Sequence, residues 1–273
     1  MEKVKIPYTV TADISKYEGE VFNKVPRWDY LEQKQTEIGR SGFSLNEAKP
    51  LIRKFSKYCG LSETDDIREI AFQLEEDIAI LHKGKVVSMC FCFPSGFDPA
   101  EKVGQSFFEL HEPVADNQKL QRASNKVNEL ISKAGSLYRR HVWTLTSSSK
   151  LSRHPFYRES EITPTLEEDL FFRKETQTTV GIDDDTCFFF VKVDVVPFIS
   201  LDKAAQTKII DSINTMSDSV LQYKGLTKIK EVLNRVDFID WDQAYTQYRG
   251  VSDLHDFIDW AKQNFKLTPI QRT

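Results

Sequence analysis

The chain has 273 residues, of which 40% are hydrophobic and 29% charged; this is a globular composition and excludes a disordered chain. A net charge of -4 and a pI near 5.8 exclude nucleic acid as the main partner, because phosphate binding needs a basic face. No apolar run is long enough to span a bilayer and MEKVKIPYTV has no signal-peptide core, so the expectation is a cytoplasmic protein without a membrane partner.

The first forty residues read as an irregular lead-in, with a polar helix starting at Pro26-Arg27-Trp28 and running towards Ile38. Leu51, Ile52 and Phe55 predict a short helix over residues 46–58, with Pro50 in or near its first turn, and residues 66–72 predict another. A hairpin follows, with strands over 76–81 and 86–93 around a turn at Gly84. Residues 98–110 and 116–134 read as helices, the second with Leu120, Val127, Leu130 and Ile131 on one face. Three strands come next, over 140–146, 170–180 and 187–196. The last, CFFFVKVDVV, is aromatic and β-branched and is the clearest strand of the chain.

Asp183-Asp184-Asp185 lacks the alternating ligands and glycine of a calcium loop and reads as a hairpin turn. Residues 202–223 predict one long amphipathic helix carrying Ile209, Ile213, Met216 and Val220, closed by Gly225 as a C-cap. Residues 226–273 form an aromatic-rich extension, in which Phe238, Trp241, Tyr245 and Tyr248 share helical spacing. Leu254, Phe257, Trp260 and Phe265 make a second set. So many aromatics are costly in water, so this segment is expected to dock on the domain or on a partner.

Two strands, several helices, then three strands give an α+β fold. It is the order of a PAS-like antiparallel sheet covered by helices, here with additional N- and C-terminal helices. The expected division is a domain over 1–225 and a helical extension over 226–273. Cys59, Cys90, Cys92 and Cys187 form no CxxC pair and no zinc spacing, which suits reduced thiols.

Three blocks carry chemistry. The first runs from the Glu76-Asp77-Ile78 strand through Pro94-Ser95 and Lys102-Val103-Gly104 to His111, held between Leu110 and Glu112-Pro113-Val114. The second is Tyr138-Arg139-Arg140-His141-Val142-Trp143, and the third is Phe172-Arg173-Lys174-Glu175-Thr176-Gln177-Thr178. Read alone, His111 is a buried histidine donating to backbone at a proline corner, and no second histidine follows at zinc-binding spacing. Arg173, Glu175 and Gln177 alternate and share a strand face. His141 sits in a strand and His154 in a polar loop; both read first as structural or solvated, with a place lining a distal pocket as the alternative. His82 reads as an exposed turn residue, and His255 belongs to the terminal extension.

Over residues 74–225 these blocks resemble the haem-dependent oxidative N-demethylase family, with its patterns "eDi.iL", "PS.W.P.eK.G", "IH.PV", "R.NW" and "R.ERQTL". Phe97, Val142 and Thr176 stand where that pattern has tryptophan, asparagine and arginine. The resemblance implies a PAS-like fold and a haem b whose iron is ligated by His111, which needs one nitrogen aimed at the metal and a partner for the other N–H. It implies that Arg173 and Lys102 face haem propionates, against the plain alternatives of an Arg173–Glu175 ion pair and a solvated lysine. Arg140, Trp143 and Gln177 complete the implied cofactor contacts, and Glu175 orients a cationic amine.

The implied reaction is oxidation of a small secondary or N-methyl amine with release of formaldehyde. Electrons would come from a separate flavin or iron–sulfur partner, since the chain has neither a GxGxxG fingerprint nor clustered cysteines. Cys90 and Cys92 share a strand face, so a thiolate ligand stands beside the ordinary reading of buried thiols. A non-catalytic haem or small-ligand sensor, or a structural homologue without haem, is the competing class.

Overall fold

In a computed structural model, residues 4–160 and 163–235 are described. The first half contains β1 (Ser15–Lys16), α1 (Trp28–Glu37), β2 (Gly42–Ser44), α2 (Lys49–Tyr58), α3 (Ile67–Phe72), β3 (Asp77–His82) and β4 (Lys85–Cys90). Two helices, α4 (Phe107–His111) and α5 (Gln118–Ser132), then lead to β5 (Leu137–Thr146), β6 (Phe171–Asp183) and β7 (Thr186–Pro197). The described chain closes with α6 (Lys203–Asn214), α7 (Asp218–Lys224) and α8 (Thr227–Arg235).

The seven strands form one sheet in the order β1-β5-β6-β7-β3-β4-β2, every pairing antiparallel. The fold is α+β, as the strand and helix order implies. The β3–β4 hairpin turns on Lys83 and Gly84, at φ 49° and 74°, with His82 paired to Lys85. Two left-handed central residues match the strand twist, and glycine enters that region without a Cβ penalty. The acidic run at 183–185 is the β6–β7 turn, with Asp183 opposite Thr186. Lys54 lies 2.7 Å from the Asp183 carboxylate and, as a hydrogen-bonding cation, holds its pKa down at about 2.

Alternation along the strands sorts the core. Phe188 and Phe190 of β7 share one face and receive Phe55 of α2, at ring distances of 4.4 and 5.1 Å. Further along the sheet, Trp143, Leu145 and Phe172 pack with Ile209 and Ile213 of α6, Val220 and Leu221 of α7, and Ile229 and Val232 of α8. Ordered packing thus continues past Gly225. The aromatic sets from Phe238 onward lie outside the described residues.

Three expectations need correction. Residues 98–110 are not one helix: a 3-10 turn at Pro99–Glu101 gives way to Gly104 at φ 92°, and Ser106 caps a new helix through a box with Glu109. A left-handed glycine and a strong N-cap together restart the helix rather than extend it. Residues 202–223 form two helices, because the Ser217 hydroxyl accepts from Val220 N and starts α7 afresh. The apolar spacing runs through the break because both helices pack on one cluster. His82 is half-buried rather than exposed, with Nδ1 3.0 Å from Thr186 Oγ1. Among the described residues no helix is long and apolar enough to cross a membrane.

Candidate functional site

The β5–β6 register pairs Arg140 with Gln177, Val142 with Glu175 and Thr144 with Arg173. Directly opposed residues share a sheet face, so Arg140, Arg173, Glu175 and Gln177 lie together. His141 and Trp143 project to the other face. His141 Nδ1 is 3.2 Å from Thr176 Oγ1, and Trp143 stacks on Phe172 at 6.2 Å and meets Tyr8 edge-on at 6.2 Å. The structure therefore does not bring Trp143 to the face that holds the other site residues.

The connection from β4 to β5 carries α4 across the sheet. Its start is tied to the β3–β4 hairpin through Val86 N to Gln105 O at 2.9 Å and Phe107 N to Gly84 O at 3.3 Å. At its other end, His111 comes within electrostatic reach of Arg140 and Lys102. His111 Nδ1 is 2.7 Å from the Phe107 carbonyl, which can only accept. Nδ1 therefore carries the proton and Nε2 carries the lone pair. Burial, reinforced by the two cations, pushes the imidazole pKa down to about 4, so the ring is neutral at ordinary pH. Asn117 Nδ2 donates to the carbonyls of His111 and Glu112 at 2.8 and 3.0 Å, closing the end of α4. A ligand histidine needs this combination: a neutral ring, an anchored N–H and a free lone pair.

Arg140 presents the opposite condition. Its Nε is fully enclosed and finds no hydrogen-bond acceptor among the described residues. Burial lowers its pKa, against the opposing pull of the Glu175 and Asp13 carboxylates. An enclosed guanidinium N–H without an acceptor is costly unless an anion joins it, so this one donor points to an anionic ligand. Lys102 is half-buried at the end of the 3-10 turn.

Glu175 is held from two sides. The Ser95 hydroxyl donates to its Oε1, and Gln177 Nε2 donates to its Oε2 at 2.8 Å. Ser95 is oriented in turn by Arg173, whose Nε donates to the Ser95 oxygen at 2.9 Å. Arg173 is 1% exposed. It also donates to the carbonyls of Phe93, at 2.7 Å, and Leu151, and lies 3.9 Å from Glu175. Its donors thus join the loop after β4, the loop after β5 and the carboxylate of β6.

Beneath this, Asp77 accepts from Cys92 N and Phe93 N at 2.9 and 2.8 Å, with burial pushing its pKa up to about 6. Fully buried Lys34 donates to the carbonyls of Ala71, Leu74 and Glu76 at 2.7–2.8 Å. Reading the sequence assigned no role to Ser95 or Lys34. Ser95 stands inside the Pro94-Ser95 motif, which is a signal; a lone lysine on a polar helix is none.

All four cysteines are buried and free. Burial drives Cys59 and Cys187 up to about 12, and the neighbouring Cys90 together with burial raises Cys92, so Cys59, Cys92 and Cys187 are protonated thiols. His154 is buried, accepts from Phe156 N at 3.1 Å, and has Nε2 3.6 Å from Asp98 Oδ1.

Fold and site together define an α+β protein in which a neutral histidine on a crossing helix is brought towards a polar sheet face holding an unpaired cation and an anchored carboxylate. The chain belongs to the family described as haem-dependent oxidative N-demethylase, alpha subunit-like, which matches residues 41–234. No curated protein matches the chain.

Proposed function

We propose that this protein binds haem b through His111 Nε2 and acts as an oxidative N-demethylase on a small secondary or N-methyl amine. The observation that carries the reading is the pairing of His111, neutral with Nδ1–H tied to Phe107 O, with the acceptor-less Arg140. A porphyrin would bring its own nitrogen donors to the iron, so one histidine from the chain would suffice; among the described residues no group of three His, Cys, Asp or Glu side chains could hold a metal ion. Arg140 and Lys102 serve the propionates. Arg173 acts one step removed, by holding Ser95 and through it Glu175. Gln177 extends the same wall.

When bound, haem would supply the redox chemistry that oxidises the N-methyl carbon and releases formaldehyde. Glu175 orients the cationic amine: its carboxylate keeps lone pairs free beyond those used by Ser95 and Gln177, and is 14% exposed. Electrons come from a separate flavin or iron–sulfur partner, for which this chain has no substitute motif. The fold reading that accompanies this is PAS-like. Its support is the β3–β4 hairpin, the helical crossing, and a β5–β6–β7 meander whose last strand pairs back on β3.

Haem-loaded protein given dimethylamine, oxygen and a flavin reductase with an electron carrier should release formaldehyde, and should not do so with NADPH alone. No product from a panel of N-methyl amines, with the reductase or with hydrogen peroxide, would return the protein to the sensor class. Glu175→Gln should spare haem uptake yet weaken amine binding more than tenfold. That corresponds to on the order of 2 kcal/mol for a charge-assisted contact in a partly desolvated site. Equal amine affinities of mutant and wild type in spectral titrations would remove Glu175 as the anchor.

A further inference from the structure

The loop after β5 is fastened to the part of the site that holds Glu175. Its residues 151–157 pass Arg173, which donates to the Leu151 carbonyl, and Arg153 then pairs with Ser95 in a parallel bridge. Arg153 N donates to Pro94 O and Gly96 N donates to Arg153 O, each at 3.0 Å, so the Ser95 backbone is framed on both sides. The Ser95 hydroxyl in turn donates to Glu175. The loop thereby sets where that hydroxyl sits.

A carboxylate away from the sheet holds the loop in place. Glu37, the last residue of α1, is 4% exposed. Its Oε2 accepts from the Ser152 hydroxyl at 3.2 Å and its Oε1 accepts from the Tyr157 hydroxyl. These two donors lie on either side of Arg153 in the loop. Gln33, one turn earlier on α1, adds a third tie by accepting from Leu151 N at 3.1 Å. Arg40 lies over the Tyr157 ring, 5.7 Å from its centre. A buried carboxylate is costly unless its oxygens are hydrogen-bonded, and such charge-assisted bonds are stronger than neutral ones. The two hydroxyls therefore have one favoured arrangement, and the loop between them inherits it.

We propose that Glu37 is a positioning residue for the amine anchor. Through Ser152 and Tyr157 it fixes the loop that frames Ser95, and through Ser95 it fixes the Glu175 carboxylate. This rests on the reading of Glu175 as the anchor, and it adds to the site a helix residue that precedes the family match at 41–234.

The test uses the full-length chain with Ser152→Ala and Tyr157→Phe, each removing one hydroxyl, their double variant, and Glu37→Gln. In the haem-free protein, hydrogen exchange over residues 94–98 should quicken by roughly tenfold in the double variant, as the bridge to Arg153 loosens. In the haem-loaded protein, dimethylamine is titrated optically. The double variant and Glu37→Gln should bind it about fivefold more weakly, with haem stoichiometry and Soret position unchanged. On a Glu175→Gln background the same substitutions should cost no further amine affinity, which separates positioning of Glu175 from a general loss of structure. Should Glu37→Gln fail to fold, the two single-hydroxyl variants carry the comparison. Amine affinity unchanged in the double variant, or lost equally on the Glu175→Gln background, overturns the role of Glu37 while Glu175 stands as anchor. A wild type that takes up no haem, or that binds amine no tighter than Glu175→Gln, removes the anchor and the positioning role with it.

Discussion

Replacing His111 by alanine is expected to abolish stable haem binding. Wild-type protein reconstituted with haem should show a Soret band at one haem per chain, and His111→Ala should lose it or hold it only weakly. The expectation follows from geometry. The Phe107 carbonyl fixes the proton on Nδ1 and thereby the lone pair on Nε2, while Asn117 clamps the carbonyls of His111 and Glu112. Alanine removes the donor atom without disturbing the capping box that starts α4, since Ser106 and Glu109 make those bonds alone. Thermal stability of the haem-free protein should therefore change little. A colourless wild type would sink the cofactor assignment. A band that survives His111→Ala but vanishes in Cys90→Ser or Cys92→Ser would transfer the ligand role to a thiolate.

Replacing Arg173 by methionine is expected to cost the fold about 3–5 kcal/mol, the range found when one partner of a buried charge network is removed. The guanidinium is fully buried and its donors serve Ser95, Phe93 O and Leu151 O, so methionine fills part of the volume and leaves three acceptors bare. Arg173→Lys keeps the charge but not the fork, and should recover only part of the loss.

The pH dependence has a definite sign. The Asp77 pKa is raised from 3.8 to about 6, burial outweighing the help of Lys34, the two backbone N–H groups and Arg173. The folded state thus binds more protons than the unfolded one, and stability falls as pH rises through about 6. Removing Arg173 raises Asp77 further, so Arg173→Met should lose more stability at pH 8 than at pH 5. Urea denaturation at both pH values measures this. A variant within about 1 kcal/mol of wild type would show that the staple is dispensable.

Much of this protein is determined locally and can be read from the chain. The β3–β4 hairpin was legible because Lys83-Gly84 sits between apolar runs, and β7 because CFFFVKVDVV has no helical alternative. Arg173, Glu175 and Gln177 share a face simply because side chains alternate along a strand. Motif residues in the Glu76–His111 block were enough to point to the family, which matches residues 41–234.

What only the tertiary structure decided is where the cations go. Arg173 reads in sequence either as a propionate partner or as an ion-pair partner of Glu175, and the loops after β4 and β5 close over it and take up its donors. Arg140, two residues from Val142 on the same face, is left without an acceptor because no loop carbonyl reaches its Nε. Trp143 turns into the C-terminal core since its strand parity is opposite to that of Arg140. Lys34 and Lys224 carry no signal at all in one dimension. A lysine's ammonium becomes buried or poised only when distant segments bring carbonyls to it, as residues 71, 74 and 76 do for Lys34 and as β5 does for Lys224. Local periodicity sets the elements and their faces; the satisfaction of buried charge is a long-range property and emerges only when the elements are packed.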